Sequence, residues 1–283
     1  MFYGVASTVL GSGAVQLGGP EAGLQERARQ SEIRAYFDDI LHRRFLGSGR
    51  VTFLGGSDYQ PEGTSHFVTS RVSGETLQVG VRRRVVDATY LSPTIPATTP
   101  PPFDVAEDVH VAPINELASS GGAPSNYVIV GSGKTATDGI VWLLLNGVAP
   151  DRVVWVRPRD PWMLNRAVVQ PDPVVALGLA ADTMAAAAPA ESLEDLFLRL
   201  DAAGVMLRID RDVVPTMAKT PTLAEWELEL LRTVENVVRL GHIKHVTSRE
   251  IVLDDGVASL ASRSLVVQAD AGAWNHRGPP LRQ

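Results

Sequence analysis

The spacing of hydrophobic residues changes several times along this chain, and each change marks an expected element. Ile33, Tyr36, Phe37, Ile40 and Leu41 recur at helical intervals. They predict a helix over 31–46, capped by Ser31 and closed by the glycines at 47 and 49. The period then shortens. Residues 51–54, 66–72 and 76–81 are rich in β-branched and aromatic side chains and read as strands, with 72–76 as a hairpin turn between the last two. A further strand is expected at 85–90. Five prolines between Pro93 and Pro102 exclude regular structure there, and a short strand follows at 109–111.

Beyond the polar break at 119–125 the pattern becomes an alternation of buried runs and helical stretches. A strand is expected at 126–130, a helix at 135–146 ended by Gly147, and a strand at 152–157. Such βαβ alternation implies an α/β fold with a parallel sheet. Ser192 opens a helix bearing Leu193, Leu196, Phe197 and Leu200, which Gly204 stops before a strand at 205–209. The pair Thr222 and Glu225 has capping-box spacing and predicts a long helix running to Leu240, with Gly241 as its stop. Strands are expected at 251–253 and 264–268. The alanine-rich stretch 176–190 is interrupted by Gly178, Asp182 and Pro189.

The most informative segment is Asn126 to Ala136, where a buried run leads into Gly131-Ser132-Gly133-Lys134-Thr135-Ala136 and a helix. This is the order that seats a dinucleotide pyrophosphate on a helix N-terminus. Gly131 allows the tight turn, Gly133 lets the backbone approach phosphates, and Ala136 lets helix and strand pack closely. A plain strand–turn–helix is the alternative. Gly133-Lys134-Thr135 also imitates the end of a triphosphate-binding loop, but the glycine that loop needs five positions before Gly133 is Val128, inside the strand. The cluster at Gly11 and Gly13 opens no helix within its motif and reads as a loop. At the end of the next strand stand Arg157 and Arg159, with no acid before Asp160. An acid there would accept from a ribose 2′-hydroxyl, whereas guanidinium groups suit a 2′-phosphate, so NADP is favoured over NAD.

Composition narrows the remaining choices. The net charge of −6 disfavours nucleic acid and membrane surfaces as partners. The absence of cysteine excludes disulfides, thiol catalysis and thiolate metal sites. Met1 to Ser7 carries no basic region of a targeting signal, and the apolar run 140–145 is far too short to span a bilayer, so a cytoplasmic protein is expected. His242 and His245 could share a helical face but have no acidic third ligand beside them. No serine lies in a nucleophile elbow. Asp38, Asp39, Glu225, Glu227 and Glu229 are expected on the solvent faces of helices, and Trp226 in the core.

The order of these segments resembles the flavin-containing monooxygenase and pyridine-nucleotide-disulfide reductase group. Glu32 to Phe45 resembles the helix after which the chain returns to the flavin domain. Val85 to Tyr90 with Pro93 and Pro96 resembles the crossover into the second nucleotide domain. Val128 to Ala136 resembles the NADPH fingerprint, with Arg157 and Arg159 at the positions of its 2′-phosphate contacts. The strand 265–268 followed by 269–272 resembles the return to the flavin domain. The resemblance implies a Rossmann-like NADP domain at 121–250 inserted in an FAD-binding domain represented by 1–120 and 251–283. It implies NADP and FAD as cofactors and an organic substrate for an NADPH-dependent flavin oxidoreductase. Nothing upstream of Gly131 supplies the first GxGxxG of such enzymes, so the flavin domain is expected to be incomplete and the chain truncated or divergent. A non-catalytic NADP(H)-binding protein without flavin is the alternative.

Overall fold

The computed structural model describes residues 14–88, 95–119 and 121–270, with the backbone of Phe2–Tyr3 and Thr8–Val9. Residues 89–90 of the expected strand, the glycines at 11 and 13, part of the proline segment and 271–272 of the expected return segment lie outside the described residues. Two compact units divide the described residues: one holds 2–3, 8–9, 14 and 26–88, the other 15–25 with 95–119 and 121–270.

In the first unit β1 (Phe2–Tyr3) pairs with β2 (Thr8–Val9). Helix α1 (Gln30–Asp39) begins one residue before Ser31, with the Glu32 carboxylate accepting from the Arg29 N–H. Its coil continues through a wide turn at Ile40–Phe45 and ends on Gly49, at φ 66°. A three-stranded antiparallel sheet follows: β3 (Ser57–Glu62), β4 (Ser65–Ser70) and β5 (Thr76–Gln78). The hairpin between β4 and β5 lies where the sequence places it. Residues 51–54 and 85–88 form no strand, and β3 arises instead from the polar run Ser57–Glu62, because full pairing to β4 satisfies its backbone.

The second unit is a mixed α/β fold. Its strands are β6 (Asp104–Val105), β7 (Val111–Pro113), β8 (Tyr127–Val130), β9 (Val153–Val156), β10 (Pro161–Asn165), β11 (Met206–Arg208), β12 (Met217–Leu223), β13 (Val237–Val238), β14 (Ile243–Val246), β15 (Glu250–Leu253), β16 (Gly256–Ser259) and β17 (Leu265–Gln268). Its helices are α2 (Lys134–Leu145), α3 (Pro173–Ala187), α4 (Leu193–Ala202) and α5 (Glu225–Arg232).

A five-stranded, all-parallel sheet runs in the order β13-β9-β8-β17-β7. Its strands are buried on both faces and read as continuous apolar runs, as parallel sheets require. Ile129, Val153, Trp155 and Val267 face α2 and α5, among Ile140, Leu228 and Leu231. Val128, Val130, Val154, Val156 and Val266 face the sheet β16-β15-β14-β6, meeting Val246, Ile251 and Leu253. A smaller sheet, β11-β10-β12, shares the first core through Met163, Leu207 and Leu223. Trp162 on β10 instead packs with Ala186 of α3 and Leu200 of α4.

Several expectations are corrected. The helix expected to reach Leu240 ends at Arg232, and Val237–Val238 joins the sheet beside Trp155 and Val156. Thr222 belongs to β12, so the carboxylate that caps α5 is Glu227, accepting from the Ala224 N–H at 2.8 Å. His245 consequently sits on a strand, and His242 just before it, rather than on one helical face. The alanine-rich stretch is also more regular than its glycine and acid suggest. Asp172 caps α3 through the Val174 N–H at 2.7 Å, Pro173 occupies the first helical position, and Pro189 lies past the helix end. No helix among the described residues is long and apolar enough to cross a membrane.

Candidate nucleotide site

The turn 131–136 lies at the carboxyl edge of the parallel sheet, between β8 and the N-terminus of α2. Gly131 adopts φ 126°, a backbone that side-chain-bearing residues rarely reach. A Cβ placed there would stand 3.1 Å from the Asp270 nitrogen and 3.2 Å from the Ala269 carbonyl carbon. The glycine is therefore required by conformation and by the chain leaving β17. Its N–H donates to the Val156 carbonyl at 3.0 Å, and its own carbonyl accepts the Trp155 indole N–H at 2.7 Å.

Gly133 differs. It is the cap residue of α2, with extended φ −85° and ψ −177°, and its Cβ direction is open space. The first N–H groups of a helix have no intrahelical partner and carry the positive end of its dipole. Ser132 is buried and Thr135 exposed. Ala136 is fully buried against the sheet, the close helix–strand contact a small residue permits.

Lys134 is held rather than free. Its Nζ lies 2.6 Å from Asp138 Oδ1 and 3.1 Å from Glu227 Oε1. Glu227 is buried, contrary to the solvent face expected of it, and its second oxygen caps α5. One carboxylate thus joins the starts of α2 and α5.

The two arginines after β9 have different surroundings. Arg159 is exposed. Arg157 is only 1% exposed, stacks over the Trp155 ring at 4.5 Å, and gives Nη2 to Asp160 Oδ1 at 2.9 Å. Its Nε and Nη1 have no hydrogen-bond partner among the described residues. Burial depresses its pKa to about 10, with the Asp160 charge opposing that shift. Asp160 also accepts from Arg239, at 2.9 Å, and Arg239 reaches on to Asp210 at 2.6 Å. Burial works against the charge on Arg239, but its bonds to Asp160 and Asp210 outweigh that and raise its pKa. Arg239 follows β13 as Arg157 follows β9. Sequence reading missed it because nothing local announces that these two strands are neighbours.

No family model matches the chain. The chain is 40% identical over 284 residues to the uncharacterized protein Rv2000 of Mycobacterium tuberculosis H37Rv, covering 99% of this chain and 52% of that protein. The same identity and coverage hold for the uncharacterized proteins MT2056 of Mycobacterium tuberculosis CDC 1551 and Mb2023 of Mycobacterium bovis. The chain thus spans about half the length of the curated relatives it matches.

Proposed function

We propose that the turn 131–136 binds the pyrophosphate of NADP(H), in a protein of the monooxygenase-like, flavin-dependent oxidoreductase type. The observation that carries this reading is the contrast within the turn. Gly131 is packed against 269–270, whereas Gly133 leaves an open approach to the N-terminus of α2 at the carboxyl edge of a parallel sheet. That edge is where open α/β sheets take their ligands. Arg159 is exposed and so open to a 2′-phosphate, whereas Arg157 is buried, which favours Arg159 as the contact.

In the finer architecture, the parallel-sheet unit is the NADP domain of a two-nucleotide design. FAD enters through the resemblance alone, since no second strand–glycine turn–helix occurs among the described residues. When bound, the nicotinamide supplies a hydride and the flavin accepts it. This chain's own part is to bind and orient the dinucleotide.

Titration calorimetry with NADPH, NADH and FAD tests the reading, together with flavin absorbance and NADPH oxidation. NADPH should bind more tightly than NADH, and Arg159→Ala should remove most of that preference, roughly tenfold for one charge-assisted contact. Absence of NADPH binding sinks the proposal. NADP(H) binding without catalysis is the second reading, since no second strand–glycine turn–helix that could seat FAD occurs among the described residues. NADPH binding with neither FAD binding nor NADPH oxidation selects it.

A further inference from the structure

A cleft of about 300 Å³ runs along the outer side of β13 on the helix-facing side of the sheet. Its floor is apolar: Trp155 and Val237, which are register partners, with Ile209, Leu231 and Val234. Its walls carry Arg157, Arg211, Arg232 and Arg239 against Asp210 and Glu235. The cleft has a direction. Arg157 and Arg239 follow the carboxyl ends of β9 and β13, whereas Leu231 to Glu235 precede the amino end of β13. It therefore extends down the strand, away from the edge where the glycine turn lies, and none of residues 131–136 lines it.

Two of the arginines are already committed. Arg232 donates to the carbonyls of Ile209 and Arg208 at 2.9 and 2.7 Å, and Arg239 bridges Asp160 and Asp210. Arg157 is different: it is 1% exposed and gives only Nη2 to Asp160, and its other two guanidinium nitrogens have no hydrogen-bond partner among the described residues. A buried donor left without an acceptor carries a desolvation cost that an acceptor reaching it would relieve. The four lining arginines outnumber the two lining acids, Asp210 and Glu235, so the cleft favours an anion.

We propose that this cleft binds an organic monocarboxylate, with the carboxylate on Arg157 and the apolar body on Ile209, Leu231, Val234 and Val237. The apolar floor excludes a bare inorganic anion as the best ligand. The site is separate from the proposed dinucleotide site and does not depend on that reading.

Calorimetric titration of hexanoate into the whole chain tests it, with hexylammonium and inorganic phosphate as controls. Hexanoate should bind one to one, hexylammonium should not, and phosphate should bind more weakly. Arg157→Met should weaken hexanoate at least tenfold, and Arg211→Ala, at an exposed position, severalfold. Circular dichroism checks that each variant is folded, and if Arg157→Met is not, Arg211→Ala decides. Saturating NADPH should leave hexanoate binding unchanged. The proposal is overturned by no hexanoate binding, by undiminished binding in the folded variants, by tighter binding of phosphate, or by displacement with NADPH. NADPH titrated alone reads the cofactor proposal independently.

Discussion

Trp155 fastens the glycine turn from below, giving its indole N–H to the carbonyl of Gly131 at 2.7 Å while fully buried in the sheet. The same ring supports the guanidinium of Arg157 on its face. Trp155→Phe keeps an aromatic ring but leaves the Gly131 carbonyl without this donor. It should destabilise the chain by about 1–3 kcal/mol, read in urea unfolding. NADPH binding should weaken with it if the turn seats the dinucleotide. An unchanged unfolding midpoint would show that the carbonyl finds water instead.

Gly131 and Gly133 should respond differently to alanine. At position 131 the new Cβ meets the 269–270 backbone and the φ of 126° is strained, so Gly131→Ala should lower stability by roughly 1–3 kcal/mol. At position 133 the backbone is ordinary and the space open, so Gly133→Ala should melt within about 0.5 kcal/mol of the parent. It should nevertheless lose NADPH affinity, because the methyl group occupies the approach to the helix N-terminus. Wild-type affinity in Gly133→Ala would remove the turn from the binding site.

The strand–turn–helix at 127–145 was legible because its strand is apolar throughout and Gly131 takes a backbone conformation that favours glycine. The end of α5 was not. Leu230, Leu231, Val234, Val237 and Val238 continue at spacing a helix could use, but pairing with Trp155 and Val156 draws the last two into the sheet. Tertiary contacts override local periodicity there. Glu227 was misplaced for a related reason: once Thr222 is committed to β12, the helix begins at Glu225 and the third helical residue becomes the capping acid. In the candidate site, Arg157 and Arg159 could be named from sequence, but their opposite exposures could not. Arg239 joins the site only through the β9–β13 neighbourhood, which is a long-range fact.

Arg166 anchors the segment 15–25. It is 5% exposed and bonds Glu21 Oε2 at 3.1 Å and the Gln25 carbonyl at 2.7 Å, while Gln170 accepts from the Gln25 N–H at 2.8 Å. Removing one member of a buried ion pair leaves the other uncompensated, at about 3–5 kcal/mol. Arg166→Met and Glu21→Gln should therefore both release 15–25 to limited proteolysis, and the double variant should be less destabilised than the two singles added together. Strict additivity, or resistance of 15–25 to protease in both singles, would show that the segment is held by other contacts.

Acid should act on the network at Asp210 with a defined sign. The Asp212 N–H, 3.0 Å from Oδ1, and Arg239, 2.6 Å from Oδ2, hold the Asp210 carboxyl below its ordinary 3.8, with burial acting the other way. A carboxylate whose folded pKa is depressed adds stability above its unfolded pKa, and that stability is lost as pH falls through the folded one. Asp210→Asn keeps an acceptor for the Asp212 N–H but removes the charge facing Arg239. The difference in unfolding free energy between parent and variant should then be constant from about pH 7 to pH 5 and shrink below about pH 4. Because Asp210 is 32% exposed, solvent screening limits the plateau to about 1 kcal/mol. A difference that instead grows on acidification would mean that the Asp210–Arg239 contact does not stabilise the folded chain.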